Sequence, residues 1–206
     1  GDDVQLKNSN DADAFLKPFW SKHSEKWWSK EYAQAVTELL PENSAKQIVV
    51  WNPGCGQGFE AYSLACVLKQ KYPTAKVRIY AHDIDLLAVS NATMINVPNE
   101  VASDWYAPFV TQKTNGEYTF KQDIKDCIMF EYHDCKNSNT LPMVDLIFAR
   151  DTLSFLDEAS QKNVISDFME KMKGNAIAII GENEAMPLSF NFREQNQGTL
   201  YAYSKD

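Results

Sequence analysis

Three glycines set two apart, Gly54, Gly56 and Gly58, follow directly on the apolar run Ile48 to Trp51 and the breaker pair Asn52-Pro53. A glycine turn there lets backbone approach a ligand closely, and the helix that follows offers unpaired N–H groups to it. One helix and one strand further on stands Asp83, at the end of the next strand, where a carboxylate accepts hydrogen bonds from both hydroxyls of a ribose. Further strand ends carry His133-Asp134-Cys135 and Arg150-Asp151. Together these groups suit the binding of a nucleoside at one edge of a sheet. The competing interpretation makes Asp83 a plain turn residue beside Asp85, a helix cap, and Arg150 an ordinary ion-pair partner.

The elements that must position these residues can be read from periodicity. Ala61, Leu64, Ala65, Leu68 and Tyr72 recur at helical spacing after the glycines, so Gln47 to Leu68 reads as strand, turn and helix. Lys76 to Ala81 alternates as a strand, and Leu86 to Met94 is helix-like. Ile128 to Tyr132 and Val144 to Ala149 are strands, and Ala176 to Ile180 is apolar throughout, as a buried central strand is. Between the last two, Ile165, Phe168, Met169 and Met172 mark an amphipathic helix over Leu156 to Met172, capped by Asp157 and ended by Gly174. Phe190 to Arg193 and Thr199 to Ser204 form a closing hairpin through Asn196-Gln197-Gly198.

The predicted fold is α/β, a doubly wound Rossmann-like sheet whose last strands turn antiparallel. Residues 46–206 form the main domain, with a small β-hairpin insertion over 105–125, where Thr114-Asn115-Gly116 separates Tyr106 to Val110 from Glu117 to Phe120. Residues 1–45 read as a helical segment packing on the sheet. Asn10-Asp11 caps a first short helix, and Trp28, Tyr32, Ala35, Val36 and Leu39 share one face of a second. The aromatics Phe19, Trp20, Trp27 and Trp28 are read as packing.

With 206 residues, 44% of them hydrophobic and 23% charged, the chain suffices for one substantial core. Its net charge of −8 opposes tight binding to a nucleic-acid backbone, which requires clustered Lys and Arg. Small molecules and proteins are the expected partners. The four cysteines form no C-x-x-C pair, and no apolar run has the length of a membrane span, which predicts a reduced, cytoplasmic setting without membrane insertion. Three histidines without metal-ligand spacing predict no metal site. Gly1 followed by acidic residues is compatible with a trimmed start.

The ground plan is similar to that of class I S-adenosylmethionine-dependent methyltransferases, and four motifs narrow the resemblance. Trp51 to Ala65, with Gly58-Phe59-Glu60-Ala61-Tyr62-Ser63-Leu64-Ala65 at its end, resembles the W-S-A-x-x-x-T-G-E-E-P-Y-S-L-A segment of the CheR-type chemotaxis receptor glutamate methyltransferases. Asp83-Ile84-Asp85 resembles their D-I-D, and Leu146 to Asp157 their I-F-C-R-N-V-x-I-Y-F-D. The ending Leu200 to Asp206 resembles their closing strand, so the likeness covers residues 47 to 206.

The resemblance implies S-adenosylmethionine as cofactor, S-adenosylhomocysteine as product, and a protein acceptor such as the cytoplasmic region of a chemoreceptor. Cofactor contacts are implied at Glu60, Asp83, Asp134, Cys135, Arg150 and Asp151, to which the glycine turn adds Gly54, Gly56 and Gly58 and the D-I-D stretch Ile84. It also implies that the 105–125 excursion docks a receptor peptide by strand addition; a plain surface hairpin is the alternative. Phe155 falls where the family has a tyrosine near the transferred methyl group, Lys17 falls on a family arginine, and Arg150 and Lys17 are the cations available to orient an acceptor carboxylate. The departures lie there: Asp11-Ala12-Asp13-Ala14-Phe15-Leu16-Lys17 stands for N-x-T-x-F-F-R, and Phe155 for a tyrosine. Most of the family's N-terminal helical domain has no counterpart in these residues.

A carboxylate with a pKa of about 4.3 is already ionised at neutral pH, so its attack on a methyl sulfonium needs no general base. Alignment within about 3 to 3.5 Å is what remains to be supplied. Lys17 lacks the planar fork by which arginine grips a carboxylate. A catalytically weak relative that binds the nucleoside and acts through protein contacts is therefore the second expectation. A nicotinamide enzyme is disfavoured by G-x-G-x-G in place of G-x-G-x-x-G. A nucleic-acid amino-methyltransferase is disfavoured by charge and by the absence of Asp-Pro-Pro-aromatic after Ala149.

Overall fold

The computed structural model describes residues 26–205. The first predicted helix and Lys17 lie outside them. The chain runs α1 (Lys30–Leu39), β1 (Gln47–Pro53), α2 (Phe59–Lys71), β2 (Lys76–Asp83) and α3 (Leu86–Ala92), then α4 (Asn99–Ala102) and a 3-10 turn (Ala107–Phe109). It continues through β3 (Val110–Gln112), β4 (Tyr118–Phe120), α5 (Gln122–Lys125), β5 (Ile128–Tyr132) and β6 (Val144–Ala149). A second 3-10 turn (Leu153–Phe155), α6 (Glu158–Lys171), β7 (Met172–Ile180), β8 (Phe192–Glu194) and β9 (Tyr201–Lys205) complete it.

Seven strands form one sheet in the order β5-β2-β1-β6-β7-β9-β8, while β3 and β4 pair separately. The first five are parallel, and β9 runs antiparallel to both neighbours. The strand order reverses beside β1, so the carboxyl tips of β1 and β6 flank the crevice where ligands of such sheets bind.

Burial on both faces explains the apolar runs Ile48 to Trp51 of β1 and Leu146 to Ala149 of β6. Ile48 and Val50 of β1, Leu146 and Phe148 of β6, and Ile177 and Ile179 of β7 face one core with α1, α2 and the β3–β4 hairpin. The alternate residues Val49 and Trp51, Ile147 and Ala149, and Ala178 and Ile180 face the other with α6. Asp145 is buried within β6 because its carboxylate accepts from Val49 N–H at 2.8 Å and Lys173 Nζ at 2.9 Å. The register between β6 and β7 breaks at that residue.

Two expectations are corrected in detail. Gly174 does not end α6: the helix stops at Lys171 with Met172 extended, and β7 starts there and runs through Gly174. Tyr106 to Phe109 is not strand. Pro108 sits in a 3-10 turn that buries Tyr106 beneath the hairpin, leaving three residues in each strand of the excursion. None of the described helices is long and apolar enough to cross a membrane.

Candidate active site

The glycine turn takes left-handed backbone at all three positions, with φ of +69° at Gly54, +53° at Gly56 and +90° at Gly58. Space adds to the demand. A Cβ on Gly58 would stand 2.9 Å from Phe130 Cζ, and one on Gly54 2.6 Å from Thr152 Oγ1. The turn is thus pressed against β5 on one side and against the loop after β6 on the other.

Asp83, at the tip of β2, closes on this turn. Its Oδ2 accepts from Gly56 N–H at 2.7 Å and its Oδ1 from Asp85 N–H at 2.9 Å. Asp85 in turn caps α3, accepting from Leu87 and Ala88 N–H. The turn and cap roles of the competing interpretation are therefore present, and Asp83 is in addition joined to the glycine turn. Burial raises the Asp83 pKa, and the backbone donors oppose the rise. The next strand is in register, since Asp83 pairs with Tyr132 and His133 N–H donates to Asp83 C=O at 3.0 Å. That brings the backbone before Asp134 beside Ile84. Asp134 folds onto its own loop, accepting from Lys136 N–H at 2.9 Å, and Ile84 is 66% exposed. Burial pushes the Cys135 thiol up to about 11, which leaves it protonated and unreactive at neutral pH.

Glu60 lies in the first turn of α2 and is buried. Three donors converge on its Oε2: Trp28 Nε1 at 3.0 Å, Arg150 Nε at 2.9 Å and Arg150 Nη2 at 2.7 Å. Burial raises the Glu60 pKa, and Arg150, then Trp28, pull it back down. The Arg150 guanidinium also stacks over the Tyr32 ring, 4.2 Å from its centroid. Two residues expected to contact a cofactor separately thus contact each other, and Arg150 is an ion-pair partner inside the candidate site. Trp28 keeps the packing role read from the sequence, against Phe148 at 5.2 Å, and adds a polar one.

Asp151 is the one non-glycine residue with positive φ among the described residues, at +57°. A carboxylate absent from the sequence reading holds it there. Glu184 Oε1 accepts from Asp151 N–H and from Gly181 N–H, each at 2.8 Å, while Oε2 accepts from Ser154 N–H at 2.7 Å. Gly181 is required beside this clamp, since a Cβ would stand 2.5 Å from Asp151 Oδ1. Phe155, at the end of the same turn, is 43% exposed. Glu184 follows the apolar strand by a few residues, so its place at a strand's carboxyl end was the available signal. Trp28 and Tyr32 were masked by their helical spacing, which reads as packing.

Residues 18–201 match the family model described as CheR methyltransferase, SAM binding domain. The chain belongs to that family. The family is one of methyltransferases, and its domain is described as binding S-adenosylmethionine, the cofactor that the sequence motifs implied. Among curated relatives, chemotaxis protein methyltransferase 2 of Vibrio cholerae is 23% identical over 167 residues, covering 74% of this chain and 57% of that one. The chemotaxis protein methyltransferase of Borreliella burgdorferi is 24% identical over 181 residues, covering 81% and 62%. The chain thus spans about three fifths of these CheR relatives. The glycopeptide N-methyltransferase MtfA, solved with sinefungin, superposes with a TM-score of 0.52 at 11% identity, covering 94% of this chain and 68% of that one. This likeness establishes the class I methyltransferase fold.

Proposed function

We propose that this chain binds S-adenosylmethionine across the tips of β1, β2 and β6 and methylates a carboxylate of a protein acceptor, in the manner of a chemoreceptor glutamate methyltransferase with attenuated activity. The observation that carries the nucleoside site is Asp83 docked on Gly56. Each of its oxygens accepts one backbone N–H, and a carboxylate offers about four lone-pair sites in all, so acceptor capacity remains for two ribose hydroxyls. Gly54, Gly58 and Ile84 border the same cleft, and Asp134 and Cys135 lie on the loop beside it. The residues fit the nucleoside.

When bound, S-adenosylmethionine supplies an electrophilic methyl group on a sulfonium. The protein's part is alignment. Arg150, fixed by Glu60 and Tyr32, is a cation held in one orientation beside the cleft, its charge offset by Glu60, so it serves alignment more than attraction. Asp151, set by Glu184, shapes the loop beside it. Attenuation follows from the same geometry: two of the Arg150 N–H groups are committed to Glu60, and Phe155 offers no hydroxyl. Losing one positioned donor in an active site costs on the order of 10² in rate.

The test is transfer of a radiolabelled methyl group to chemoreceptor cytoplasmic fragments, by the chain as given and by Phe155→Tyr. Slow labelling released by base as methanol, and faster in Phe155→Tyr, supports the proposal. Nucleoside binding with no transfer by either protein favours a binding relative that acts through protein contacts. Labelling that base does not release would rule out a carboxylate acceptor.

A further inference from the structure

The Tyr32 hydroxyl is buried and has no hydrogen-bond partner among the described residues. Its surroundings hold it firmly in that position. Ser29, the α1 cap, accepts from Tyr32 N–H at 3.1 Å, Trp28 lies edge-on to the ring at 4.9 Å, and the Arg150 guanidinium covers a ring face. A hydroxyl removed from water without a partner bears its full desolvation cost, so native structures rarely retain one without a reason.

The charges around it indicate what would complete it. The Arg150 cation and the carboxylates of Glu60, Asp151 and Glu182 all act on the phenol. Burial holds its pKa well above the ordinary tyrosine value, so it keeps its proton and can both donate and accept. A field of one cation and three carboxylates suits a zwitterion better than a lone anion, which would meet more repulsion than attraction.

Resting on the S-adenosylmethionine site proposed above, we infer that Tyr32 is a ligand-binding residue whose hydroxyl hydrogen-bonds the α-amino-acid end of the bound nucleoside. It is thereby a determinant of selectivity for nucleosides that carry this group over those that lack it. Its place on α1 gives that helix a binding function in addition to its packing.

The experiment is calorimetric titration of the unmodified chain and of Tyr32→Phe with two nucleosides, S-adenosylhomocysteine and 5′-methylthioadenosine, which lacks the amino-acid end. Tyr32→Phe keeps the ring and its cation stacking. S-adenosylhomocysteine affinity should fall about tenfold, the size expected for one buried hydrogen bond to a charged group, with methylthioadenosine affinity unchanged. The ligand-free Tm should stay level or rise, because an unsatisfied hydroxyl is removed. Unchanged affinity for S-adenosylhomocysteine overturns the inference. Equal losses for both nucleosides, or a lowered Tm with binding intact, would make Tyr32 structural and overturn it too. Failure of the unmodified chain to bind either nucleoside is a different result, which removes the site proposed above along with this one.

Discussion

Arg150 donates from Nε and Nη2 to the same oxygen of Glu60, tying the end of β6 to the first turn of α2. The side chains are 11% and 7% exposed, so each charge depends on the other for compensation. Removing one partner from such a pair destabilises by about 3 to 5 kcal/mol, far more than a surface ion pair is worth. Arg150→Met should therefore lower stability by that amount in urea unfolding, whereas Arg150→Met with Glu60→Gln should recover much of it. Additive losses in the double variant would contradict a coupled pair.

Gly58 should not tolerate even alanine. Its φ of +90° and the 2.9 Å approach to Phe130 act together, so Gly58→Ala is expected to cost more than about 1 kcal/mol. The urea midpoint measures this. Gly174→Ala is the control, since open space surrounds a Cβ there.

Much of this arrangement was legible in the sequence because it lies in periodicity and turn chemistry. The strand Ile128 to Tyr132, the Asp85 and Asp157 caps and the glycine turn all follow local rules that the fold obeys. The Glu60–Arg150 pair was not legible, since it joins residues 90 apart whose partnership only the closed sheet creates. Glu184 was missed for the same reason, its three donors coming from two different strand ends. Trp28 and Tyr32 did carry a visible pattern, but helical spacing of aromatics cannot separate packing from a polar duty.

Glu184 makes stability depend on pH in a defined direction. Burial raises its folded pKa above the unfolded value, with the three backbone donors opposing. Its contribution is fully present below the unfolded pKa of about 4.3 and is lost as pH rises through the folded pKa. Glu184→Gln does not titrate. Relative to the unmodified chain, its Tm should improve from about pH 4.3 upward and level off above the folded pKa. A difference that is flat with pH would show that Glu184 does not titrate in this range.

The same substitution should impair function at neutral pH. A Gln amide turns an N–H toward a donor that the carboxylate oxygen now accepts, either Ser154 or the Asp151 and Gly181 pair, so the loop holding Asp151 loosens. S-adenosylhomocysteine affinity is expected to fall in Glu184→Gln while Glu184→Asp shows at least partial retention. Equal binding by both variants and the parent would separate the clamp from the site.

The proposed nucleoside site lies where Asp83 closes on the glycine turn. Calorimetric titration of the unmodified chain and of Asp83→Asn with S-adenosylhomocysteine tests it most directly, with thermal unfolding confirming that both are folded. Binding by the unmodified chain is expected, with a loss of roughly tenfold or more in Asp83→Asn, the effect of losing charge-assisted hydrogen bonds. No heat from the unmodified chain at high micromolar ligand, or equal affinity in the two proteins, would contradict it.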